Sequence, residues 1–387
     1  IGETDMQILR TYVEDPRTNS VRHIRDWYGL AAVLGLKTNI LAYALKERDK
    51  LQTRIKLGDR TVYKSGRALK VIQSRLTTLV EPLFDALPGN ECALAYRKGV
   101  SATKYIRESI PHARLLVTFD IKKYYDNVTL KHIEECLTKC GFQVLGARLV
   151  GRYCVVRKGN RSTLQQGSPV SPAISNIVGH FHFDVPIRSW LTSEYPDIEA
   201  TYVRYCDNIA LFVHSDVPDG FTEKFKSFVK RALGDGGFRT HKWNCITDSN
   251  PVKNQKFLGI VLNSQARMEL CIVDRLRAIL FNWCRFGGFA AAERFMAEEG
   301  IQLREFCIDG MKLAKFRQVM RGHINYVKSI NEKHGLWLDK LFEAATYLDA
   351  RDLCACNNAE LFRSIKKYKN GNEPLDEFMR GVEASAG

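Results

Sequence analysis

No run of ~18 uninterrupted apolar residues occurs in the chain, which leaves no candidate for a transmembrane helix. The opening residues, Ile1-Gly2-Glu3-Thr4-Asp5, lack the basic start and apolar middle of a signal peptide. They also lack an initiator Met, so the numbering need not begin at the natural terminus. The eleven cysteines form no framework. Only Cys136/Cys140 and Cys354/Cys356 are close pairs, and neither has a second pair or a His at zinc-finger spacing. Structural zinc is therefore not expected, and scattered thiols of odd number suit a reducing, cytoplasmic compartment. Internal repeats and low-complexity tracts are absent.

Acidic residues are in deficit. Lys and Arg total 58 against 43 Asp and Glu, a formal charge of +15. Such a balance favours a polyanionic partner, nucleic acid or an anionic membrane surface, over a neutral one. A merely basic soluble protein is the plain alternative. With 387 residues, 45% of them hydrophobic and 26% charged, the chain can bury the cores of two or three packed units.

Periodicity divides the chain into a helical beginning, a strand-rich middle and a helical end, an α+β layout. Leu30 to Leu36, then Thr38 as N-cap before Ile40, Leu41 and Leu45, reads as two helices joined at Gly35. The pair has helix-turn-helix spacing, but no Arg, Asn or Gln cluster opens the second helix to read bases, so two packed helices are expected. A basic segment from Arg54 to Lys64 reads as two strands turning at Gly58-Asp59, and a helix with Leu69, Ile72, Leu76, Leu79 and Val80 on one side follows. Leu115–Ile121, Thr201–Cys206, Ile209–Val213 and Lys256–Leu262 read as strands, the last ending at Asn263-Ser264. Asp207-Asn208 is the expected hairpin turn between the second and third. Helices are expected over 275–286, 290–299, 313–330 and 336–348, with a frayed polar tail.

Three pieces carry chemistry. Asp120 ends an apolar strand, where a carboxylate is costly unless it is paired or holds a cation; a strand-end Asp that caps the next element is the bland reading. Asp207 stands at a hairpin tip, where Asp-Asn also suits a type I′ turn. Gln165 to Asn176 is a Gly-containing loop running into a helix, with Ser171 as N-cap and Pro172 in the first turn; a simple loop-to-helix junction is the alternative.

Taken in order, Phe119-Asp120-Ile121-Lys122-Lys123-Tyr124-Tyr125, Gln166-Gly167-Ser168-Pro169-Val170-Ser171-Pro172-Ala173-Ile174-Ser175-Asn176 and Arg204-Tyr205-Cys206-Asp207 resemble the reverse-transcriptase family. They are closest in kind to the bacterial group that includes retron, group II intron and phage-defence enzymes. The likeness runs through roughly residues 30 to 345. It implies a right-hand polymerase: an N-terminal helical extension over 1–48, fingers over 49–114, a palm with an antiparallel sheet over 115–263, and a helical thumb and tail over 264–387. It implies an RNA-directed DNA polymerase that adds dNTPs to a primer 3′-hydroxyl, with two Mg²⁺ ions, or Mn²⁺, as cofactors. Asp120, Asp207 and Asn208 are the implied catalytic residues, and Asp120, Asp207 and the Ile121 carbonyl the implied metal ligands, since hard Mg²⁺ takes oxygen donors.

By the same resemblance Tyr125 abuts the sugar 2′ position and excludes ribonucleotides; a core aromatic is its bland reading. Gln166 and Gly167 touch the templating pair and the incoming nucleotide. Arg60 and Lys64, with Lys56 as an alternative, grip the triphosphate, for which guanidinium is well shaped; a solvated charged hairpin is the alternative. Lys242 serves the pyrophosphate leaving group. Phe257, Leu258 and Gly259 resemble the primer grip, and Arg321 and Asn325 lie on a thumb helix that follows the product. The implied partners are an RNA template, a cognate non-coding RNA among the candidates, the DNA product and dNTPs, with no membrane; a protein partner or an oligomer is left open. Anti-phage defence is the implied setting.

Departures from the family pattern matter. Its catalytic hairpin ends in two aspartates, and here the second is Asn208. This leaves a slower or Mn²⁺-preferring enzyme, an engineered substitution, or a catalytically silent nucleic-acid-binding scaffold. RNA-dependent RNA synthesis is a further alternative, against which Tyr125 counts. Only His112 remains of the Asn-Ala-x-x-His segment of retron enzymes, and Lys256-Phe257-Leu258-Gly259 replaces their Val-Thr-Gly element, so a divergent defence-associated member is expected.

Overall fold

The computed structural model describes residues 20–57, 60–110, 112–250, 253–262, 267–299 and 309–350. The expected turn at Gly58-Asp59, the strand end at Asn263-Ser264, the first five residues, Cys354/Cys356 and the polar tail lie outside them. The chain divides into two compact units: residues 1–102 with 110–253, and residues 103–109 with 254–387. No single helix among the described residues is long and apolar enough to cross a membrane.

The first unit opens with α1 (Trp27–Leu34) and α2 (Thr38–Lys46). Asp26 caps α1 by accepting from the Gly29 N–H at 2.8 Å, and Gly35 ends it at φ 59°, the left-handed value glycine tolerates. The expected cap at Thr38 is not formed: Lys37 is the N-cap, without a side-chain bond, and Thr38 is already helical. Leu30, Leu34, Leu41 and Ala44 enter the core, as packed helices require. A two-stranded hairpin follows, β1 (Gln52–Leu57) with β2 (Arg60–Ser65), then α3 (Arg67–Asp85). Leu69, Ile72, Leu76, Val80 and Leu83 form its buried stripe.

The centre is a four-stranded antiparallel sheet in the order β6-β7-β3-β8, from β3 (Leu115–Ile121), β6 (Ala200–Tyr205), β7 (Asn208–Val213) and β8 (Thr240–Thr247). Beta-branched and aromatic residues fill β3 and β7, and nearly all are buried, which suits central strands covered on both faces. Between β3 and β6 run the helical turn α5 (Tyr124–Asn127), α6 (Leu130–Lys139), α7 (Val144–Cys154), the hairpin β4 (Val155–Lys158) and β5 (Arg161–Leu164), α8 (Ser171–Gly179), one π turn (His180–Asp184) and α9 (Val185–Glu194). The helix α10 (Phe221–Asp235) joins β7 to β8 and packs Phe225 against Phe119 and Trp243. Val170, not Ser171, is the N-cap of α8; Ser171 is inside the helix and donates its hydroxyl to the Gln165 carbonyl at 2.6 Å.

The second unit holds α4 (Ala102–Ser109) from Thr103 onward, three short strands β9 (Lys256–Phe257), β10 (Ile260–Val261) and β11 (Arg267–Met268), and the helices α11 (Leu270–Phe286), α12 (Gly288–Glu298), α13 (Asp309–Ile330) and α14 (Glu332–Ala350). The single strand expected over 256–262 is a tight hairpin. Leu258 and Gly259 turn it with φ of 49° and 75°, the two positive values of a type I′ turn. The apolar run hid the turn because Leu rarely takes that conformation. The four expected helices all form, each beginning before the expected start, while α12 ends at Glu298, short of the expected end at residue 299.

Candidate active site

The site grows out of one ladder. In the β3–β7 register Asp120 faces Asn208, and in the β6–β7 register Tyr205 faces Asn208. The two-residue turn is therefore Cys206-Asp207, one position earlier than the expected Asp207-Asn208. Cys206 alone of the pair has positive φ, at 59°, which fits a II′ turn rather than I′. Asn208 is a strand residue. The Asp207 carbonyl accepts from the Ile121 N–H at 2.8 Å, so the tip of the hairpin is bonded to the end of β3, and Asp120 and Asp207 converge there.

Charge confirms the approach. Burial raises the Asp207 carboxyl above its ordinary value, and the charge of Asp120 adds to the rise; the Arg60 guanidinium works in the other direction. The Asn208 amide donates to Asp207 Oδ1 at 3.2 Å, which an aspartate at 208 could not do. On the other flank a β-bulge interrupts the β3–β8 register between Thr118 and Asp120. Lys242, at φ 53°, sits in it with Nζ 3.2 Å from Asp120 Oδ2. Bulges re-aim side chains beside active sites, and here the bulge lets Trp243 stack on Phe119, centroids 4.2 Å apart, while its neighbour reaches the carboxylate. The lysine side chain is 70% exposed, free to leave Asp120 for another anion.

Do these groups fit divalent cations? Among the described residues no cluster of three or more His, Cys, Asp or Glu exists. Two carboxylates do meet, one of them held partly against its charge by burial and by the other. A hard cation relieves both costs. The donor set fits, with Asp120 and Asp207 as holders and the buried Ile121 following on the same strand.

The other predicted residues distribute as follows. In α5 Tyr124 is buried and donates to the Ser175 carbonyl at 2.5 Å, while Tyr125 is half-buried with its hydroxyl 3.5 Å from Ser175 Oγ. Burial raises the Tyr125 phenol, with the Cys206 thiol the next cause, which puts Tyr125 beside the β6–β7 hairpin. The Gln166 main-chain carbonyl accepts from the Tyr63 N–H at 2.8 Å. Gly167 has φ 95°, and a Cβ there would lie 3.1 Å from the Tyr63 carbonyl, so the backbone approach needs glycine. Arg60 and Lys64 are exposed on one face of β2. The remaining five belong to the second unit. Tyr326 of α13 donates to the Leu258 carbonyl in the β9–β10 turn. Arg321 pairs with Asp339 and lies 4.3 Å over the Phe342 ring, and Asn325 is exposed.

Sequence reading missed two supports of this site. Arg204, fully buried in β6, pairs with fully buried Asp184 of the π turn at 2.8 Å. Its guanidinium also reaches Asn176 and, at 3.4 Å, the Cys206 carbonyl. Gly179 makes room, since a Cβ there would stand 2.6 Å from the guanidinium carbon. A charged residue inside an apolar strand was the available signal. Tyr96, half-exposed at φ 60°, has its phenol raised by burial, then by Cys206 and Tyr125. The only trace of it in sequence is an aromatic before Arg97-Lys98-Gly99.

No curated protein matches significantly. Among solved structures, telomerase from Candida albicans, in complex with a fragment of telomeric RNA, is 11% identical with a TM-score of 0.40, over 78% of this chain and 57% of that one. Apo telomerase from Candida tropicalis is 12% identical with a TM-score of 0.45, over 90% and 70%. The chain thus spans little more than half the first telomerase, and likeness this distant transfers none of its properties. The family model described as reverse transcriptase (RNA-dependent DNA polymerase) matches residues 63–262, a stretch that contains Asp120, the Gln166-Gly167 loop and the Asp207 hairpin. With more than half of its length matched, and the α+β palm sheet in place, the chain belongs to the reverse transcriptase family.

Proposed function

We propose that this protein is an RNA-templated DNA polymerase that transfers nucleotides from dNTPs to a primer 3′-hydroxyl, using two Mg²⁺ ions, with Mn²⁺ as a substitute. The convergence of Asp120 and Asp207 at the bonded end of β3 and the β6–β7 turn carries the reading. The oxygen of the primer hydroxyl attacks the α-phosphorus, the α–β phosphoanhydride bond breaks, and pyrophosphate leaves. Such transfer depends on position and charge neutralisation more than on covalent help. Bound divalent ions supply that neutralisation, held by Asp120 and Asp207 with the Ile121 carbonyl. Arg60 and Lys64 grip the triphosphate, Gln166 and Gly167 floor the nascent pair, and Tyr125 closes the space at the sugar 2′ position. Lys242 leaves Asp120 to neutralise or protonate the departing pyrophosphate. In the second unit Phe257, Leu258 and Gly259 steady the primer, with Arg321 and Asn325 along the product.

Primer extension tests this. Purified protein with an RNA template, a DNA primer, dNTPs and Mg²⁺ or Mn²⁺ extends the primer, and Asp120→Ala or Asp207→Ala abolishes extension. Extension that survives Asp207→Ala rejects the assignment. Asn208 favours one second reading, a silent nucleic-acid-binding scaffold: then the wild type incorporates nothing with either metal yet binds template. A bacterial, cytoplasmic, retron-like or anti-phage setting goes with the motif spellings, as does a cognate non-coding RNA. Sequencing nucleic acid that co-purifies with the protein checks that setting.

A further inference from the structure

Among the described residues the β1–β2 hairpin pairs with no other strand, and an isolated two-stranded ribbon is marginal in water. Something else must hold the arm that carries Arg60 and Lys64. What holds it is a buried carboxamide. Gln165 is wholly buried, and all four of its side-chain hydrogen-bonding positions are filled. Oε1 accepts from Gln52 Nε2 of β1 at 2.8 Å and from Gln73 Nε2 of α3 at 2.9 Å. Nε2 donates to the Tyr63 carbonyl at 2.9 Å and to Ser65 Oγ at 2.8 Å, both on β2. The Ser65 hydroxyl donates in turn to Gln73 Oε1 at 2.7 Å. Gln52 and Gln73 donate onward to the Val155 and Tyr153 carbonyls. The main chain of Gln165 is held too, its N–H by the Cys154 carbonyl and its carbonyl by Ser171.

One residue further on, Gln166 accepts from the Tyr63 N–H and Gly167 lies against the Tyr63 carbonyl. The same short loop thus forms the floor for the nascent pair and the anchor of the arm. A glutamine that uses every donor and acceptor in a dry site is a rigid joint, because any displacement leaves a buried amide group unpaired.

We propose that Gln165 is a positioning residue that locks the β1–β2 hairpin onto the nucleotide loop, so that Arg60 and Lys64 stand at a preset distance from Asp120 and Asp207 before a nucleotide arrives. The lock is a property of the fold; its kinetic consequence rests on the polymerase reading above. The arm needs no hinge closure, and loosening the joint weakens capture of the triphosphate without altering the chemical step.

The test uses the full chain in two arms. Hydrogen exchange without nucleotide follows Gln165→Met, Ser65→Ala and Ser65→Thr. Ser65→Ala removes two hydrogen bonds of the network, the one from Gln165 Nε2 and the one to Gln73 Oε1, and is the milder variant should Gln165→Met fail to fold. Exchange of the β1–β2 amides, Tyr63 among them, rises at least roughly tenfold in Ser65→Ala and more in Gln165→Met, the scale of the two hydrogen bonds lost with the Ser65 hydroxyl. Amides of β3 and β7 keep their wild-type rates, and Ser65→Thr, which retains a hydroxyl, restores protection. Primer extension then gives a dNTP KM raised about tenfold in Ser65→Ala with kcat within about twofold, a loss of binding shared by ground and transition states. Wild-type exchange in Ser65→Ala overturns the lock. A loosened hairpin with unchanged KM, or a fall in kcat at constant KM, overturns the positioning role. A wild type that incorporates no nucleotide sinks the polymerase reading instead, and the exchange arm still decides the lock.

Discussion

Asp184→Asn is the most informative single change, because it neutralises one half of the buried pair beneath the Cys206-Asp207 turn and keeps its shape. Arg204 and Asp184 are both wholly buried and joined by two contacts of 2.8 Å. Tyr202 also donates to Asp184, at 2.9 Å. Burial is the largest single influence and works against the guanidinium charge, but the charge of Asp184, its hydrogen bonds and the nearby Tyr124 and Tyr202 together outweigh it, and Arg204 is held above its ordinary value. Removing the carboxylate strands a cation in the core, which costs about 3–5 kcal/mol. For a unit of this size each kcal/mol is worth about 2–4 °C, so Asp184→Asn lowers the melting temperature by about 6–20 °C.

Urea and thermal unfolding of the wild type, Asp184→Asn and the double variant Arg204→Met/Asp184→Leu measure it. The double variant, with neither charge present, recovers most of the loss, since apolar replacement of a whole buried pair is near neutral. The turn feels the change as well, because Arg204 reaches the Cys206 carbonyl at 3.4 Å, so primer extension falls further in the single variant than in the double. A single variant within about 1 kcal/mol of wild type refutes the reasoning, as does a double variant no better than the single.

Lys242→Met lowers kcat for nucleotide addition by about 10²–10³, the range for a lost general acid, with primer–template affinity unchanged; an unaltered kcat denies the lysine its role. Tyr125→Ala raises ribonucleotide over deoxyribonucleotide incorporation by about tenfold, or ~1.4 kcal/mol of discrimination, read by competitive extension; unchanged selectivity removes the gate. Acid weakens the fold through His180, whose imidazole burial pushes down to about 4. A depressed histidine favours the folded state above the unfolded pKa and loses that benefit as pH falls, so about 3 kcal/mol disappears between pH 6.5 and 4. His180→Phe flattens that part of the stability profile in urea titrations, and an equally steep profile excludes His180 as the source.

Much of this architecture is legible in the chain because local and global preferences agree. The apolar run from Leu115 to Ile121 can only be a buried strand, and the Gln166 to Asn176 spelling ties a loop to a helix. The turn was misplaced by one residue because Asp-Asn satisfies the rules for a I′ turn on its own, whereas the observed register is fixed by pairing with β3. Propensity yielded to tertiary hydrogen bonds, as it also did at Leu258, where Tyr326 holds a strained leucine in a turn. The roles of Gln165 and Arg204 were unreadable for another reason. A buried polar residue is defined by its partners, and those come from Gln52, Gln73, Asn176 and Asp184, distant in sequence and unremarkable alone.

Backbone strain locates the same centre independently of any motif. Among the described residues five that are not glycine have positive φ: Tyr96, Lys123, Cys206, Lys242 and Leu258. Each costs of order 1–3 kcal/mol and persists only where the surroundings over-determine it. Two of the five border the two carboxylates, and two more border their neighbours Tyr125 and Cys206. Cys206 precedes Asp207, Lys242 reaches Asp120, Lys123 opens the turn that carries Tyr125, and Tyr96 adjoins Cys206 and Tyr125. A chain selected for stability alone would place glycine or asparagine there. Retaining lysine, cysteine and tyrosine at those angles makes sense if their side chains, held at those angles, serve chemistry between Asp120 and Asp207, and the raised Asp207 carboxyl points the same way. Two acids crowded together destabilise the protein by itself and become favourable once cations and a polyphosphate bring the charge that the site lacks.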